Sequence, residues 1–344
     1  MPIKRQRYQC GTYRACVPDC KRHQVLEQIE LRTAINDTRI NLGIPATCVH
    51  LGRHHKGSMS DVPWRAALAR ELMGGTIQQR EIEMTEPKYG DVSVKVKDYV
   101  ACVEIHRPPH NFFDVQLIRD LANAFNALDE DPACRVSVLC AEGKSFCAGA
   151  NFANRNATGV EPGAEKRNPL YSEAVRLFSS KKPLVGAIQG AAIGGGLGLA
   201  LVPDFRVVSP EARFAANFVK IGFHPGFGLT HTLPRLIGVQ KANLMFLTGR
   251  RITGEEAFAW GLADLLVEPD RLRAAATELA AEIAENAPLA VNSTRATVRR
   301  GLAEAVQAQT NIEFVEQDWL MRTEDHREGI KAVAERRPGR FVGK

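Results

Sequence analysis

Two glycine-rich turns, each placed after a short apolar strand, constrain this chain more than any other feature of its sequence. The first covers residues 146–151 after an apolar run at 135–141, and the second covers residues 194–198 after another at 183–188. Glycine lets the backbone approach a ligand closely, and a helix start presents unpaired N–H groups at the positive end of the helix dipole. Two such turns facing each other can direct two N–H donors at one oxygen atom, as in an oxyanion hole. The alternative role for these glycines is tight packing of helix against strand. A nucleotide site is not indicated, because residues 194–198 do not match the G-x-G-x-x-G pattern.

From residue 84 onward, short strands alternate with amphipathic helices. Val92, Val94 and Val96 alternate with polar residues, and a turn at Lys97 and Asp98 returns the chain as a strand over 99–105. Further strands are predicted at 135–141, 183–188 and 205–208. The repeated order of strand and helix predicts an α/β fold built from stacked turns.

The predicted helices have clear start signals. Asp114 caps a helix whose apolar residues recur at helical spacing, namely Ile118, Leu121, Ala122, Phe125 and Leu128. Thr253 and Glu256 form a capping box at the start of another. The remaining helices are predicted at residues 171–180, 270–285, 289–301, 303–321 and 324–337. The sequence therefore predicts an almost entirely helical C-terminal region after the α/β core.

The first 83 residues differ from the rest in charge and pattern. They carry 13 Lys and Arg against 8 acidic residues, whereas residues 84–344 carry 32 against 31. A nearly neutral folded part argues against nucleic-acid binding. We predict that residues 1–83 are a non-native or disordered N-terminal extension and that the native start is Met84. A mitochondrial-type presequence is the alternative, although the acidic residues count against it.

Cysteine usage and hydropathy indicate a cytoplasmic protein. Cys10, Cys16, Cys20 and His23 match none of the usual zinc spacings, and no ligand cluster is evident in residues 84–344, so no metal is predicted. The later cysteines lie among apolar neighbours, as reduced and buried thiols do: Cys102, Cys134, Cys140 and Cys147. No apolar run is long enough for a membrane span, and no secretory signal core is present at the N-terminus.

Several motifs in a fixed order resemble those of the crotonase (enoyl-CoA hydratase/isomerase) superfamily. They are HRPPHNFFD, EGKSFCAGANF, KKPLVGAIQGAAIGGGLGLALVPDFRV, ARFAANFVKIGFHPGFGLTHTLPRLIG, TGRRITGEEAFAWGLAD and EDHREGIKAVAERRPGRF. The resemblance implies a crotonase-like spiral of ββα turns over residues 84–270 and a C-terminal helical oligomerisation region over residues 271–344. It also implies an acyl-CoA thioester substrate of fatty acid metabolism, a homotrimer or hexamer, and no cofactor apart from the substrate's own coenzyme A.

The same resemblance assigns the binding residues. It implies that the backbone N–H groups of Ala150 and Gly195 hold the thioester oxygen as it becomes an enolate. It places Ala148 near the adenine and Ala150, Asn151, Phe152 and Ala153 along the coenzyme A groove. It leaves two alternatives open for Lys331, Arg336 and Arg337, which either meet the coenzyme A phosphates or form a solvated helix surface.

The sequence departs from the superfamily pattern at the proton carriers. The two glutamate positions of the hydratases are occupied by Gly198 and Phe218, and the aspartate position of some isomerases by Gly226. Because general acid–base catalysis contributes roughly 100- to 10,000-fold per group, ordinary hydration is not expected. The expectation is an acyl-CoA lyase or isomerase, with Phe218 closing an apolar acyl pocket; the alternative is an inactive acyl-CoA-binding or partner subunit.

Four other groups lie near the pocket in the sequence: Tyr171, Asn217, His224 and His231. His224 is the candidate base, because imidazole exchanges protons near neutral pH. The alternative for His224 is a histidine held by local hydrogen bonds. The alternative for Tyr171 is packing against the helix, and the alternative for His231 is a structural role.

Overall fold

The computed structural model describes residues 88–150 and 168–344, and the predictions for residues 1–83 lie outside them. Seven strands form the larger sheet, in the spatial order Lys88–Tyr89 (β1), Val92–Lys97 (β2), Val100–Ile105 (β3), Val136–Ala141 (β4), Leu184–Ile188 (β5), Phe205–Val208 (β7) and Leu265–Leu266 (β10). The first three strands pair antiparallel, and every pairing from β3 to β10 is parallel.

A smaller sheet contains Ala191–Ile193 (β6), Arg213–Ala215 (β8) and Arg251–Thr253 (β9). Isolated bridges pair Cys147 with Ala192 and Phe113 with Ala150. After β4, β5 and β7, the chain therefore crosses from the larger sheet to a second strand layer before it enters the next helix. This repeated path is the spiral of ββα turns that the sequence predicted.

The helices of the described residues are Val115–Glu130 (α1), Pro169–Phe178 (α2), Gly195–Ala200 (α3), Leu229–Ile237 (α4), Val239–Thr248 (α5), Gly254–Trp260 (α6), Leu272–Ala284 (α7), Pro288–Val298 (α8), Leu302–Leu320 (α9) and Glu324–Ala334 (α10). Asp114 caps α1 as predicted, since its Oδ1 accepts from the Leu117 N–H at 2.8 Å. Such a cap contributes about 1 kcal/mol. The predicted capping box of Thr253 and Glu256 is also confirmed at the start of α6.

Some boundaries differ from the sequence prediction for local reasons. The β2–β3 turn lies at Asp98 and Tyr99, both with positive φ, one residue later than predicted. Helix α2 begins earlier, because Asn168 accepts from the Leu170 N–H at 2.9 Å and Pro169 suits the first helical position. The helix predicted from residue 270 starts at Leu272, because residues 269–271 form a 3-10 helix.

Two apolar cores lie on different sides of the larger sheet. The main core packs α1, α2 and α4 against the strands and includes Phe146, Cys147, Phe214 and Phe227. The second core lies between the sheet and α7 and includes Val138, Cys140 and Ala276. No helix of the described residues is both long and apolar enough to cross a membrane.

The C-terminal helices hold elements of the core in place. Helix α9 packs against α2 and α4, and α10 packs against the 3-10 helix at Asn217–Ile221. The imidazole of His326 in α10 is buried, and its Nδ1 lies 2.8 Å from the carbonyl oxygen of Ile221. The helical tail thereby fixes the short element that carries Asn217 and Phe218.

Candidate active site

The two glycine-rich turns lie directly against each other. The Cys147 N–H donates to the carbonyl of Ala191 at 2.9 Å, and the Ile193 N–H donates back to the carbonyl of Cys147 at 3.0 Å. A Cβ added at Gly149 would lie 2.7 Å from the Ile193 oxygen and 3.6 Å from the Gly195 nitrogen. Only glycine fits at this position, because its φ of +88° also disfavours a side chain.

Ala150 and Gly195 each present an unpaired backbone N–H within the described part of the chain. The Phe113 N–H donates to the Gly149 carbonyl at 3.0 Å, which leaves the Ala150 N–H outside that bridge. Gly195 is the first residue of α3, where an N–H has no partner inside the helix. Two backbone donors on adjoining turns suit an oxygen atom that gains negative charge during a reaction.

Aromatic side chains fill the space beside the first superfamily glutamate position. A Cβ added at Gly198 would lie 2.7 Å from both Cβ and Cδ1 of Phe227. The Phe227 ring is fully buried, and its centroid lies 5.7 Å from that of the Phe113 ring. Phe113 in turn covers the Cα of Gly195. The site is therefore bounded by apolar rings where a hydratase of the superfamily is expected to carry a carboxylate.

The position that the resemblance assigns to the second glutamate is also apolar. Phe218 is buried, and its Cζ lies 3.7 Å from a Cβ position built at Gly194. Oδ1 of the neighbouring Asn217 also lies 3.7 Å from that Cβ position. The side-chain amide of Asn217 has no hydrogen bond to any residue that the structure describes. Asn217 therefore brings to the turn that carries Gly195 a polar group without a partner among the described residues.

A buried tyrosine occupies the space beside Gly226, the aspartate position of some superfamily members. The Tyr171 hydroxyl donates to Gln317 Oε1 at 2.7 Å, and Gln317 Nε2 donates to the His224 carbonyl at 2.9 Å. A Cβ at Gly226 would collide with that hydroxyl. Burial raises the pKa of Tyr171, so the phenol stays protonated and supports the turn at residues 224–228.

The two candidate histidines differ in the surroundings of their ring nitrogens. Its Nδ1 lies 2.7 Å from the carbonyl oxygen of Pro225, so Nδ1 carries the proton and Nε2 is left as an acceptor. His231 lies in α4, and its Nε2 is buried without a hydrogen-bond partner among the described residues. Desolvation lowers the pKa of His231. The site thus retains His224 as its candidate base.

A buried carboxylate behind the same turn was not singled out in the sequence. Glu313 of α9 is fully buried, and it accepts from the Gly228 N–H at 2.8 Å, the Thr230 N–H at 3.0 Å and the Thr230 hydroxyl at 2.6 Å. It therefore caps the start of α4, where a negative charge is favoured by the helix dipole. Desolvation nonetheless dominates and raises the pKa of Glu313 to about 7.

We predict that Glu313 makes stability depend on pH between about 4.5 and 7. Its folded pKa of about 7 exceeds the model-compound value of 4.5, so the folded state binds the proton more tightly. The contribution of Glu313 to the free energy of unfolding is then fully present below pH 4.5 and falls by about 3 kcal/mol as pH rises through 7. Urea unfolding of the wild type and Glu313→Gln from pH 4.5 to 8 measures this, with Glu316→Gln, which changes a partly exposed carboxylate on the same helix, as control. An equal pH slope in the wild type and Glu313→Gln would contradict the assignment.

Several binding residues from the sequence prediction remain predictions. Ala148 is half-buried, and its N–H donates to the His110 carbonyl at 2.9 Å. Asn151, Phe152 and Ala153 lie outside the described residues. In the tail, Arg337 pairs with Glu328 and Glu335, and Lys331 lies 4.0 Å from Glu335, so acidic partners already neutralise these two cations.

The sequence shows no metal-ligand cluster in residues 84–344, and the absence of a metal stays a prediction, but the fold brings three possible ligands together. The structure places one ligand atom each of Cys102, Glu104 and Cys140 within 4.8 Å of one another. The cluster belongs to the core under α7, away from the main core that contains the turns.

Comparison with known proteins decides the family. The enoyl-CoA hydratase/isomerase profile matches residues 95–344. The chain belongs to the enoyl-CoA hydratase/isomerase family. It is 31% identical to the crotonyl-CoA hydratase of Syntrophomonas wolfei over 260 residues, covering 74% of this chain and 99% of that protein. It is 35% identical to the (E)-benzylidenesuccinyl-CoA hydratase of Thauera aromatica over 256 residues, covering 73% and 99%.

A solved structure gives the same result at the level of the fold. The crystal structure of an enoyl-CoA hydratase/isomerase from Pseudoalteromonas atlantica superimposes with a TM-score of 0.66 at 28% identity. The alignment covers 74% of this chain and all of that chain. The superfamily resemblance and the crotonase fold predicted from the motifs are therefore confirmed.

Proposed function

We propose that this family member is an acyl-CoA lyase or isomerase that stabilises a thioester enolate without the two-glutamate hydration mechanism. The observation that carries the proposal is the combination of two adjoining backbone donors with an aromatic boundary. Ala150 and Gly195 supply the donors, and Phe227 fills the space beside Gly198.

The donors support the enolate part of the proposal. When the α-carbon of a thioester loses a proton, or an α-carboxylate leaves as carbon dioxide, the electron pair stays behind and negative charge develops on the carbonyl oxygen. The N–H groups of Ala150 and Gly195 hydrogen-bond that oxygen and are fixed before the reaction, so little reorganisation is required. One such donor contributes about 3 kcal/mol to transition-state stabilisation.

The aromatic boundary supports the exclusion of ordinary hydration. Hydration needs a water molecule held by groups that give and take its proton. The resemblance assigns such groups to positions 198, 218 and 226. Phe218 stands at one of them, and Phe227 and the phenol of Tyr171 lie beside the glycines at the other two. A dry pocket of this kind favours reactions of the substrate itself, either double-bond migration or loss of carbon dioxide.

The two reactions differ in their need for a base. In isomerisation, Nε2 of His224 takes the α- or γ-proton, the electron pair moves into the enolate, and the proton returns at the other carbon. In decarboxylation, the breaking carbon–carbon bond supplies the electron pair, and a proton is needed only to quench the enolate. Asn217 supplies a polar contact beside the second turn in either case.

The relatives support the substrate class. Their names describe hydratases that act on crotonyl-CoA and (E)-benzylidenesuccinyl-CoA, so an acyl-CoA ester is the proposed substrate here as well. The second candidate is a non-catalytic acyl-CoA-binding subunit. It is favoured by the absence of a carboxyl side chain at Gly198, Phe218 and Gly226.

The deciding experiment is incubation of the purified chain with enoyl-, β-hydroxyacyl- and malonyl-type CoA esters. Mass spectrometry follows gain or loss of water and carbon dioxide, and NMR follows double-bond position. Double-bond migration or loss of carbon dioxide supports the proposal. Gain or loss of water contradicts it, and binding without turnover of any ester favours the non-catalytic subunit.

We predict that His224→Ala lowers kcat for double-bond migration by about 100-fold or more, because a general base contributes at least that much. Binding of the CoA ester, measured by calorimetry, is expected to change little, since the Gln317 contact uses only the backbone carbonyl of His224. His231→Ala is the matched control and keeps its activity. An unchanged kcat in His224→Ala would remove this residue from the mechanism.

A further inference from the structure

We propose that Cys102, Glu104 and Cys140 bind a thiophilic divalent cation, Zn²⁺, at a site separate from the acyl-CoA pocket. The three side chains lie on one face of two neighbouring parallel strands. In the register of β3 and β4, Glu104 pairs with Cys140, and Cys102 pairs with Val138. Residues two apart on a strand share a face, so all three point toward α7.

The spacing of the two sulfur atoms suits a bridging ion. Sγ of Cys102 lies 3.6 Å from Sγ of Cys140. Two thiolates bound tetrahedrally to Zn²⁺, each at about 2.3 Å, lie about 3.8 Å apart. A disulfide instead requires about 2.05 Å. The side chains therefore need to move by only tenths of an ångström to coordinate a metal, and much further to form a covalent bond.

A carboxylate oxygen provides the third ligand, and a cation behind it orients that carboxylate. Arg273 of α7 donates to Oε1 of Glu104, and its Nη2 also donates to the Ala141 carbonyl at 2.9 Å. Partners of this kind orient metal ligands. Two thiolates and one carboxylate carry three negative charges, which the ion and Arg273 balance together.

The surroundings supply access and positive charge. Cys140 is buried, whereas Cys102 is only partly buried, so a water molecule can complete the coordination from the Cys102 side. Lys95 and Arg273 add positive charge near the two sulfur atoms, and Glu104 adds negative charge.

The test uses the full-length chain in which Cys10, Cys16, Cys20 and Cys48 are changed to serine, so that only the four later thiols remain. The reduced, chelator-treated protein is titrated with Co²⁺ and then with Zn²⁺. We expect one equivalent of Co²⁺ to give the visible and ultraviolet absorption of a tetrahedral thiolate complex. Zn²⁺ is expected to displace the Co²⁺ and abolish these bands.

Variants assign the ligands. Cys102→Ser and Cys140→Ser are expected to weaken Zn²⁺ binding by about 100-fold or more, and Arg273→Lys by about 10-fold. Cys134→Ser, which changes a buried thiol outside the cluster, is the matched control and keeps full affinity. In the protein that keeps all three ligands, Zn²⁺ should protect Cys102 and Cys140 from iodoacetamide, as followed by peptide mapping. Labelling of the unfolded protein should be unchanged by Zn²⁺.

Three results would overturn the proposal. These are absence of stoichiometric Co²⁺ and Zn²⁺ binding, the same cobalt spectrum in the Cys102→Ser and Cys140→Ser variants, and alkylation of both thiols at an unchanged rate with Zn²⁺. Loss of two hydrogen atoms from the pair on exposure to peroxide, with no metal binding beforehand, would assign the pair to a disulfide instead.

Discussion

Replacing Gly149 by alanine is expected to lower kcat/KM for the acyl-CoA substrate by about 100- to 1000-fold, the usual result of losing one oxyanion donor. The added Cβ would lie 2.7 Å from the Ile193 oxygen and 3.6 Å from the Gly195 nitrogen. Both atoms are backbone and cannot rotate away, so the turn itself must move. The Ala150 N–H then shifts relative to that of Gly195, and the two donors no longer serve one oxygen.

Gly238→Ala is the matched control for this variant. Gly238 also has a positive φ, of +78°, but no atom lies within 4 Å of an added Cβ. The two variants share the backbone strain and differ only in the collision between the turns. Kinetics with the substrate found in the ester panel, together with melting curves and calorimetric binding, separate catalysis from folding. Equal activity in the two variants would show that the contact between the turns does not position a catalytic donor.

The turns and the fold could be predicted because their signals are local. Glycines at positions 149, 194–196 and 198 mark backbone that must pass close to other residues, and the motifs around them occur in family order. Asp114 and Thr253 mark helix starts within three residues of their partners. The family assignment followed from these motifs, and the comparisons confirmed it.

The contents of the site depend on contacts that sequence spacing does not show. Glu313 lies in a stretch with ordinary helical patterning, and its burial follows from capping a helix 83 residues away. Tyr171 and Gln317 meet across 146 residues to fill the space at Gly226. Cys102 and Cys140 meet only through the register of two parallel strands.

The contact between Gly198 and Phe227 shows that the absence of a glutamate at position 198 is coupled to the packing of a second residue. The resemblance assigns the first hydratase glutamate to position 198, where this chain has glycine, but it does not indicate what fills the space beside that glycine. Phe227 does so from a turn 29 residues further along, with φ of +64° and its ring against Phe113. The apolar boundary is therefore a packed structure, and a glutamate restored at position 198 meets a filled space.

This packing predicts a strong coupling between positions 198 and 227 in a double-mutant cycle. Phe227→Ala alone is expected to cost about 3–5 kcal/mol, since it empties a fully buried aromatic site. Gly198→Glu alone is expected to cost at least about 3 kcal/mol, because its Cβ meets Phe227 atoms at 2.7 Å and a carboxyl group is buried among rings.

In the double variant, the glutamate occupies the space that the ring leaves, so the total cost is expected to fall below the sum of the single costs by about 2 kcal/mol. Urea unfolding of the four proteins measures the cycle, at pH 5 and at pH 8 to follow protonation of the new carboxyl group. The coupling is expected to be larger at pH 5, because the buried carboxyl group is protonated, and therefore uncharged, more fully at that pH than at pH 8. Additive costs at both pH values would show that Phe227 does not occupy the space of the lost glutamate, and the argument against ordinary hydration would then rest on the absence of the carboxylates alone.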